Sequence, residues 1–268
     1  MVVNDVVKLF GLVDGERILE KYLNYKKIDV FINGQKEIEK EIEEKILKDY
    51  KLYKEGMPLQ YIIGKWNFYG RDFYVGKEVL IPRYETEILI ENILKISEKN
   101  NISKILEIGV GTGIISITLA SELKDVEILG VDISEYALKL SNKNKEFHNL
   151  ENINFIKSDL YKNVEGKFDL IVSNPPYINK EDMKKLDKKL SYEPELALFG
   201  GEDGLDFYRK IIKDSHKYLN KDGYIAFEIG YDQRESIIEL LEENNFTEIK
   251  AIKDYNGFDR CIIGKSSI

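Results

Sequence analysis

The segment that most narrows what this chain of 268 residues can fold into runs from Lys104 to Asp132. Lys104-Ile105-Leu106-Glu107-Ile108 reads as a buried strand and Gly109-Val110-Gly111-Thr112-Gly113 as a loop. Ile114 to Leu123 then reads as a helix, and Val126 to Val131 as a second strand ending in Asp132. From about Ile81 onward strands and helices alternate in this way, which predicts a mostly parallel sheet covered on both faces. The glycines let the backbone pass close to a ligand, and the helix N-terminus offers unpaired N–H groups. Asp132 stands 19 positions beyond Gly113, close to the spacing at which an acid meets ribose hydroxyls. The pattern predicts an adenosine-type cofactor.

The glycine spacing bears on which cofactor. A dinucleotide fingerprint needs a third glycine for tight helix packing beneath a pyrophosphate, and Ile114 occupies that place. S-adenosyl-L-methionine has no phosphate but carries a sulfonium cation and an amino acid head, so the acid Glu107 at the strand end suits it better. Asp159, after the apolar strand Ile153 to Ile156, could accept a hydrogen bond from an adenine amino group, although an Asp also commonly opens a loop.

A second motif, Asn174-Pro175-Pro176-Tyr177, directly follows the apolar strand Phe168 to Ser173. A planar NH2 group has two in-plane hydrogens, and the Asn174 side-chain oxygen and the Pro175 carbonyl can accept one each. The prolines fix φ and remove two backbone donors, while the Tyr177 ring can lie flat on the planar group. Alone, the tetrapeptide could be a tight turn. Beside the glycine loop it predicts transfer to an amide or amino nitrogen.

These residues resemble the HemK/PrmC-type methyltransferases, which methylate the glutamine side-chain nitrogen of class I peptide chain release factors. The similarity covers most of the chain. It extends to Gly56-Met57-Pro58-Leu59-Gln60-Tyr61-Ile62-Ile63-Gly64, Phe68-Tyr69-Gly70, Val79 to Glu87, Val131-Asp132-Ile133-Ser134 and Tyr192 to Leu205. The segments at 56 to 87 and 192 to 205 are the more specific, since many amino-methyltransferases share the other two motifs. The resemblance implies a Rossmann-like class I S-adenosylmethionine-dependent methyltransferase sheet of seven strands, the last antiparallel, with a small N-terminal helical domain. It further implies a methyl-donor site at Gly109, Val110, Gly111, Thr112, Gly113, Asp132, Asp159, Leu160 and Asn174. Asn174, Pro175, Pro176 and Tyr177 would hold the substrate glutamine, with Asn174, Pro175 and Tyr177 acting in catalysis. The chain departs from its relatives at Tyr84, Glu107 and Leu160, where they often have Pro, Asp and an aromatic. Tyr161 is the adjacent ring that could replace the last.

Domains are expected at residues 1–65, a helical substrate-docking domain with apolar spacing at Ile38, Ile42, Ile46 and Tyr50, and at 81–268, the methyltransferase domain. A hairpin at 66–80, with Gly70-Arg71 between aromatic arms, bridges them; its rings suit packing better than base stacking. Strands are expected at 104–108, 126–131, 153–157, 168–173, 223–229, 246–252 and 259–264. Residues 178–204, including the charge run Lys180 to Lys189, are expected to form a lid or substrate-contacting loop.

Hydrophobic residues at 43% suffice for a packed core, and the net charge of -8 argues against a nucleic-acid surface. Residues 1–65 carry 12 basic and 12 acidic residues, so the remainder bears the whole excess. With one cysteine, Cys261, and two histidines, His148 and His216, neither a disulfide, a zinc site nor a Ser-His-Asp triad is expected, and both histidines are placed on helix surfaces. Asp5 and Lys8 interrupt any signal-peptide core, and no apolar stretch approaches membrane-spanning length, which predicts a cytoplasmic location; a monomer is expected, though nothing in the sequence fixes the oligomeric state. Two rival readings are an adenine or guanine amino-methyltransferase acting on DNA or RNA, whose flipped base offers the same NH2 geometry, and an inactive cofactor-binding module.

Overall fold

The computed structural model describes residues 1–187 and 190–268. The chain divides into two compact units, residues 1–66 with 187–192, and residues 67–186 with 193–268. In chain order the elements are α1 (Val3–Phe10), α2 (Leu12–Leu23), α3 (Lys27–Ile32), α4 (Lys40–Glu55) and α5 (Leu59–Ile63), then the strands β1 (Lys65–Phe68) and β2 (Arg71–Tyr74). The series continues with α6 (Glu85–Ser97), β3 (Lys104–Ile108), α7 (Ile114–Glu122), β4 (Glu127–Asp132), α8 (Glu135–Phe147), β5 (Ile153–Lys157) and β6 (Phe168–Ser173). It ends with α9 (Lys180–Met183), α10 (Asp206–Ser215), β7 (Leu219–Glu228), α11 (Arg234–Glu243), β8 (Phe246–Lys253) and β9 (Asp259–Ser266).

In the first unit Ile18, Leu19 and Ile46 are fully buried. Among them Asp49 accepts from Lys21 Nζ at 2.7 Å and from the Tyr22 hydroxyl at 2.8 Å. Pairing satisfies a carboxylate that burial alone would penalise.

The second unit is built on the expected seven-stranded sheet, in the order β5-β4-β3-β6-β7-β9-β8. The strands from β5 to β7 pair in parallel, and β9 inserts antiparallel between β7 and β8. Alternation along each strand serves two apolar layers. Ile105, Leu170, Val172, Ala226, Cys261 and Ile263 belong to one cluster with α6 and α7. Leu106, Ile108, Ile171, Ile225, Phe227 and Ile262 belong to the other with α10 and α11. Burial on both faces is why these strands read as apolar runs rather than as alternating ones.

Several boundaries differ from expectation. β7 starts at Leu219, not 223, because Asp222 (φ 61) and Gly223 form a bulge inside the ladder rather than a turn before it. The hairpin turn is Tyr69-Gly70, both with positive φ, as a two-residue type I′ connection requires, one position earlier than Gly70-Arg71. Phe68 and Phe73 are fully buried core residues, not a stacking platform. Residues 178–204 hold α9, two single 3₁₀ turns and a bridge from Ile178 to Phe199. Lys188 and Lys189, the end of the charge run, lie outside the described residues.

The histidines are not simple surface residues. Each is half-buried and caps a helix C-terminus. His148 Nε2 bonds the Asp72 carbonyl at 2.9 Å, and His216 stacks on Phe246. Among the described residues no helix is long and apolar enough to cross a membrane, and no cluster of three His, Cys, Asp or Glu could hold a metal.

Asn144, fully buried on α8, joins β2 to the glycine loop: its Oδ1 accepts from Tyr74 N at 2.7 Å, and its Nδ2 donates to Tyr74 O at 3.0 Å and Thr112 O at 2.9 Å. Asn144→Ala strands one buried backbone group and two part-buried ones, so it should lower unfolding free energy by roughly 2–4 kcal/mol, measured by urea denaturation.

Candidate functional site

A cavity of about 320 Å³ lies at the C-terminal edge of the parallel strands, where open α/β sheets bind ligands. β3 stands between β4 and β6, so the chain leaves in opposite directions on its two sides. The cavity opens in that divergence. Its walls include residues 107–112 from β3 and the glycine loop, Asp132 to Ser134 from the end of β4, Ser158 to Leu160 after β5, and Ser173 to Pro176 from the end of β6.

Gly109, Gly111 and Gly113 have φ of 79°, 56° and 85°, a region that side-chained residues rarely enter. Bonds from Gly109 N to Val131 O at 2.8 Å and from Val110 N to Val131 O at 3.2 Å hold the loop against β4. The Asp132 carboxylate accepts from Gly111 N at 2.9 Å and from Ser134 N at 2.8 Å. A carboxylate has about four lone-pair positions, so capacity remains for ligand hydroxyls. Burial raises the Asp132 pKa, and the backbone N–H groups of Gly111, Ser134 and Ile133 oppose the rise.

Glu107 is 1% exposed and accepts from the backbone N–H of Ser116 at 2.9 Å and from its hydroxyl. Its other oxygen, Oε1, is buried without a partner, in a residue lining the cavity. An orphaned carboxylate oxygen is costly and is what a cationic ligand would satisfy. Glu78, Asp132 and Asp159 also line the cavity against two basic residues, Lys210 and Arg83, the second ion-paired to Glu193. That balance favours a cation over a pyrophosphate, so these residues fit S-adenosyl-L-methionine.

Asn174, Pro175 and Pro176 line the same cavity. Tyr177 is not among its lining residues. It packs against the α10 and α11 layer, where burial raises its hydroxyl pKa. Behind the loop, Gln233 Nε2 donates to Tyr177 O at 3.0 Å and to Gly204 O at 3.1 Å. A Cβ on Gly204 would lie 2.3 Å from Tyr177 O, and one on Gly200 would lie 2.7 Å from Pro176 O. The glycines of the 192–205 segment are therefore required by close approach of the 174–177 backbone. The same segment supplies Glu193, which accepts from Ile81 N at 3.1 Å and pairs with Arg83, and so joins two cavity walls.

Asp159 is exposed and Leu160 half-buried (φ 50), both lining the cavity. Tyr161 does not substitute for a missing aromatic. It is buried, stacks on Tyr218 at 4.5 Å and donates to Ile211 O at 2.9 Å. The ring that does line the cavity is Phe207 on α10, a position that no local motif marks. Thr86 lines the cavity as well, and its hydroxyl donates to buried Glu228 at 2.6 Å. The sequence hides an acid inside an apolar strand and a hydroxyl on a helix, and only pairing reveals them.

Residues 84–191 match the methyltransferase small domain family and residues 12–64 the PrmC N-terminal domain family. The chain is 43% identical over 261 residues to the release factor glutamine methyltransferase of Fusobacterium nucleatum subsp. nucleatum, spanning 96% of this chain and 74% of that protein. It is 43% identical over 263 residues to the protein of the same name from Clostridium acetobutylicum, spanning 95% and 91%. Among solved structures, a methyltransferase from Pyrococcus furiosus superposes with a TM-score of 0.55 at 20% identity, covering 84% of this chain and 98% of that one. The hMettl16 catalytic domain, solved with an RNA hairpin, gives 0.58 at 16%, covering 86% and 83%. Both likenesses are of fold.

Burial raises the Glu107 pKa from 4.5 to about 8. Between those values the native state holds a proton that the unfolded chain has released, so this group's stability contribution is complete below 4.5 and is lost as pH rises to about 8. Glu107→Gln should flatten the fall in thermal midpoint between about pH 4.5 and 8, as read by calorimetry in a pH series.

Proposed function

Because this chain belongs to the release factor glutamine methyltransferase family, we propose that it methylates the side-chain amide nitrogen of the glutamine in the Gly-Gly-Gln loop of class I peptide chain release factors. S-adenosyl-L-methionine would be the donor. The observation that carries the reading is one cavity lined by both the 109–112 loop with Asp132 and the Asn174 to Pro176 loop. Donor and acceptor would meet there.

When bound, S-adenosyl-L-methionine supplies an electrophilic methyl group on a sulfonium. Gly109 to Gly113 and Glu107 would hold its amino acid part, Asp132 its ribose, and Asp159, Leu160 and Phe207 its base. The Asn174 oxygen and the Pro175 carbonyl accept the two hydrogens of the substrate amide, which fixes the nitrogen and helps localise its lone pair toward the methyl. The nitrogen gains the methyl and loses one proton to water, and no covalent enzyme intermediate is needed. Alignment of held reactants can supply on the order of 7–11 kcal/mol. Tyr177 frames the loop from behind through its carbonyl. Residues 1–65 are proposed to dock the folded release factor, with 66–80 as the connecting hairpin and 81–268 as the transferase. The same reading makes the protein a monomer of the cytoplasm, where translation ends.

An adenine or guanine acceptor would use the same NH2 geometry, but the net charge of -8 opposes capture of a phosphate backbone.

With labelled donor, a folded class I release factor should be labelled on its loop glutamine, and a short peptide much less. Duplex DNA and rRNA should stay unlabelled; transfer to them and none to the release factor would promote the nucleic-acid reading. Asn174→Ala should lower turnover at least about 100-fold while donor affinity changes far less, by stopped assay and calorimetry. Asp132→Ala should instead weaken donor binding by about 1.5–3 kcal/mol, the range for hydrogen bonds to a charged group, and unchanged affinity would remove Asp132 from the donor site.

A further inference from the structure

Glu228 is a buried acid that the reaction outlined above does not use. It ends β7, is 2% exposed, and lies one step beyond the Ser173–Phe227 pair of the parallel β6–β7 ladder. That register makes it the cross-strand neighbour of Asn174. The Thr86 hydroxyl donates to its Oε2 at 2.6 Å, and the Asn174 side-chain amide, beside it across the ladder, favours its ionised form. The Tyr208 hydroxyl fixes the backbone of the residue, donating to Glu228 O at 2.8 Å. A carboxamide has nearly the same shape on its oxygen and nitrogen sides, so only its partners decide which side meets a ligand. An NH2 group turned toward Glu228 would leave Oδ1 as the group available to the cavity.

We propose that Glu228 is a positioning residue for the methyl transfer: by accepting the Asn174 NH2 group it presents Asn174 Oδ1, and not the amide nitrogen, to the substrate glutamine. The inference rests on the reading of Asn174 as acceptor for a substrate amide hydrogen. An ionised Glu228 can only accept, which enforces this orientation. A protonated Glu228 can donate, and the oxygen of Asn174 is then its better partner. The carboxamide turns over and directs two hydrogens at the hydrogens of the substrate.

The groups facing Glu228 set where that change occurs. Burial is the largest influence and pushes its pKa up to about 7. Thr86 and Asn174 oppose the rise by donating, Glu85 of α6 adds to it and Arg260 of β9 opposes it. Tyr177, Tyr208 on α10 and Cys261 on β9 face the same acid, and burial keeps all three protonated. Turnover should therefore climb with pH through the range of Glu228.

The test uses the full chain, saturating S-adenosyl-L-methionine and a folded class I release factor. Failure of the wild-type chain to label the release factor would sink the proposed function before any variant is made. Given wild-type transfer, Glu228→Gln should keep the wild-type circular dichroism, and its donor Kd and release-factor KM should stay within about threefold while kcat falls at least about tenfold. The rise in kcat between about pH 6 and 8 should vanish in that variant. Thr86→Val removes a donor that favours the carboxylate, so the rise should move to higher pH. In 15N-labelled protein without substrate, the Asn174 side-chain NH2 signal should move with pH at the Glu228 midpoint in wild type and stay fixed in Glu228→Gln. A folded Glu228→Gln with wild-type kcat, or a Thr86→Val profile that does not move, would overturn the proposal. So would an Asn174 signal insensitive to pH, and that measurement with Thr86→Val decides the matter if Glu228→Gln does not fold.

Discussion

The hydroxyl of Ser173 donates to the carbonyl of Ile108 at 2.7 Å, fully buried, and the geometry of the cavity depends on that bond. Ile108 and Ser173 are the last pair in the β3–β6 register. Immediately beyond them one chain turns into the glycine loop and the other into Asn174-Pro175-Pro176. Two loops that leave adjacent strands could splay by an ångström without any loss of sheet pairing, and reactions between held partners are sensitive to displacements of that size. A short side-chain bond across the last rung removes that freedom where it matters.

Around this pin the electrostatics are organised by burial rather than by ion pairs. Glu107 and Glu228 both lie on the α6 and α7 side of the sheet, one on β3 and one on β7, and each is neutralised in part by hydroxyl donors, Ser116 and Thr86. Their surroundings separate their roles. Glu107 keeps an unpartnered oxygen in the cavity wall, whereas Glu228 accepts from Thr86 and lies beside Asn174 across the ladder. The surface charges of α9, by contrast, form exposed pairs such as Lys184–Glu181, of a kind that contributes little.

Much of the sheet was legible from the sequence because buried parallel strands are continuous apolar runs, and Leu106, Val131 and Ile171 have no other use. The loops were legible for a different reason: Gly109 to Gly113 and Asn174 to Tyr177 combine residue types that few backbones require together. What could not be read was anything set by pairing between distant segments. The Asp222-Gly223 bulge carries the same letters as a hairpin turn, and only the partner strand distinguishes them. Tyr161 looked available beside Leu160, but its stacking on Tyr218 depends on residues 57 positions away. Glu228 reads as an interruption of a strand until Asn174 is placed beside it. The need for Gly200 and Gly204 likewise comes from the Pro176 and Tyr177 backbone that they touch.

Cys261, near the start of β9 and opposite Glu228 in the β7–β9 ladder, is completely enclosed, and burial drives its thiol far from ionisation. Since the thiolate is the reactive form, the native chain presents alkylating and disulfide-forming reagents with no competent sulfur. A cysteine introduced at an exposed position such as Tyr255 or Phe31 would then be the single labelling point. The protein is in this sense ready for fluorescent or spin reporters without prior removal of its own cysteine, which a core position so tightly packed would not easily give up.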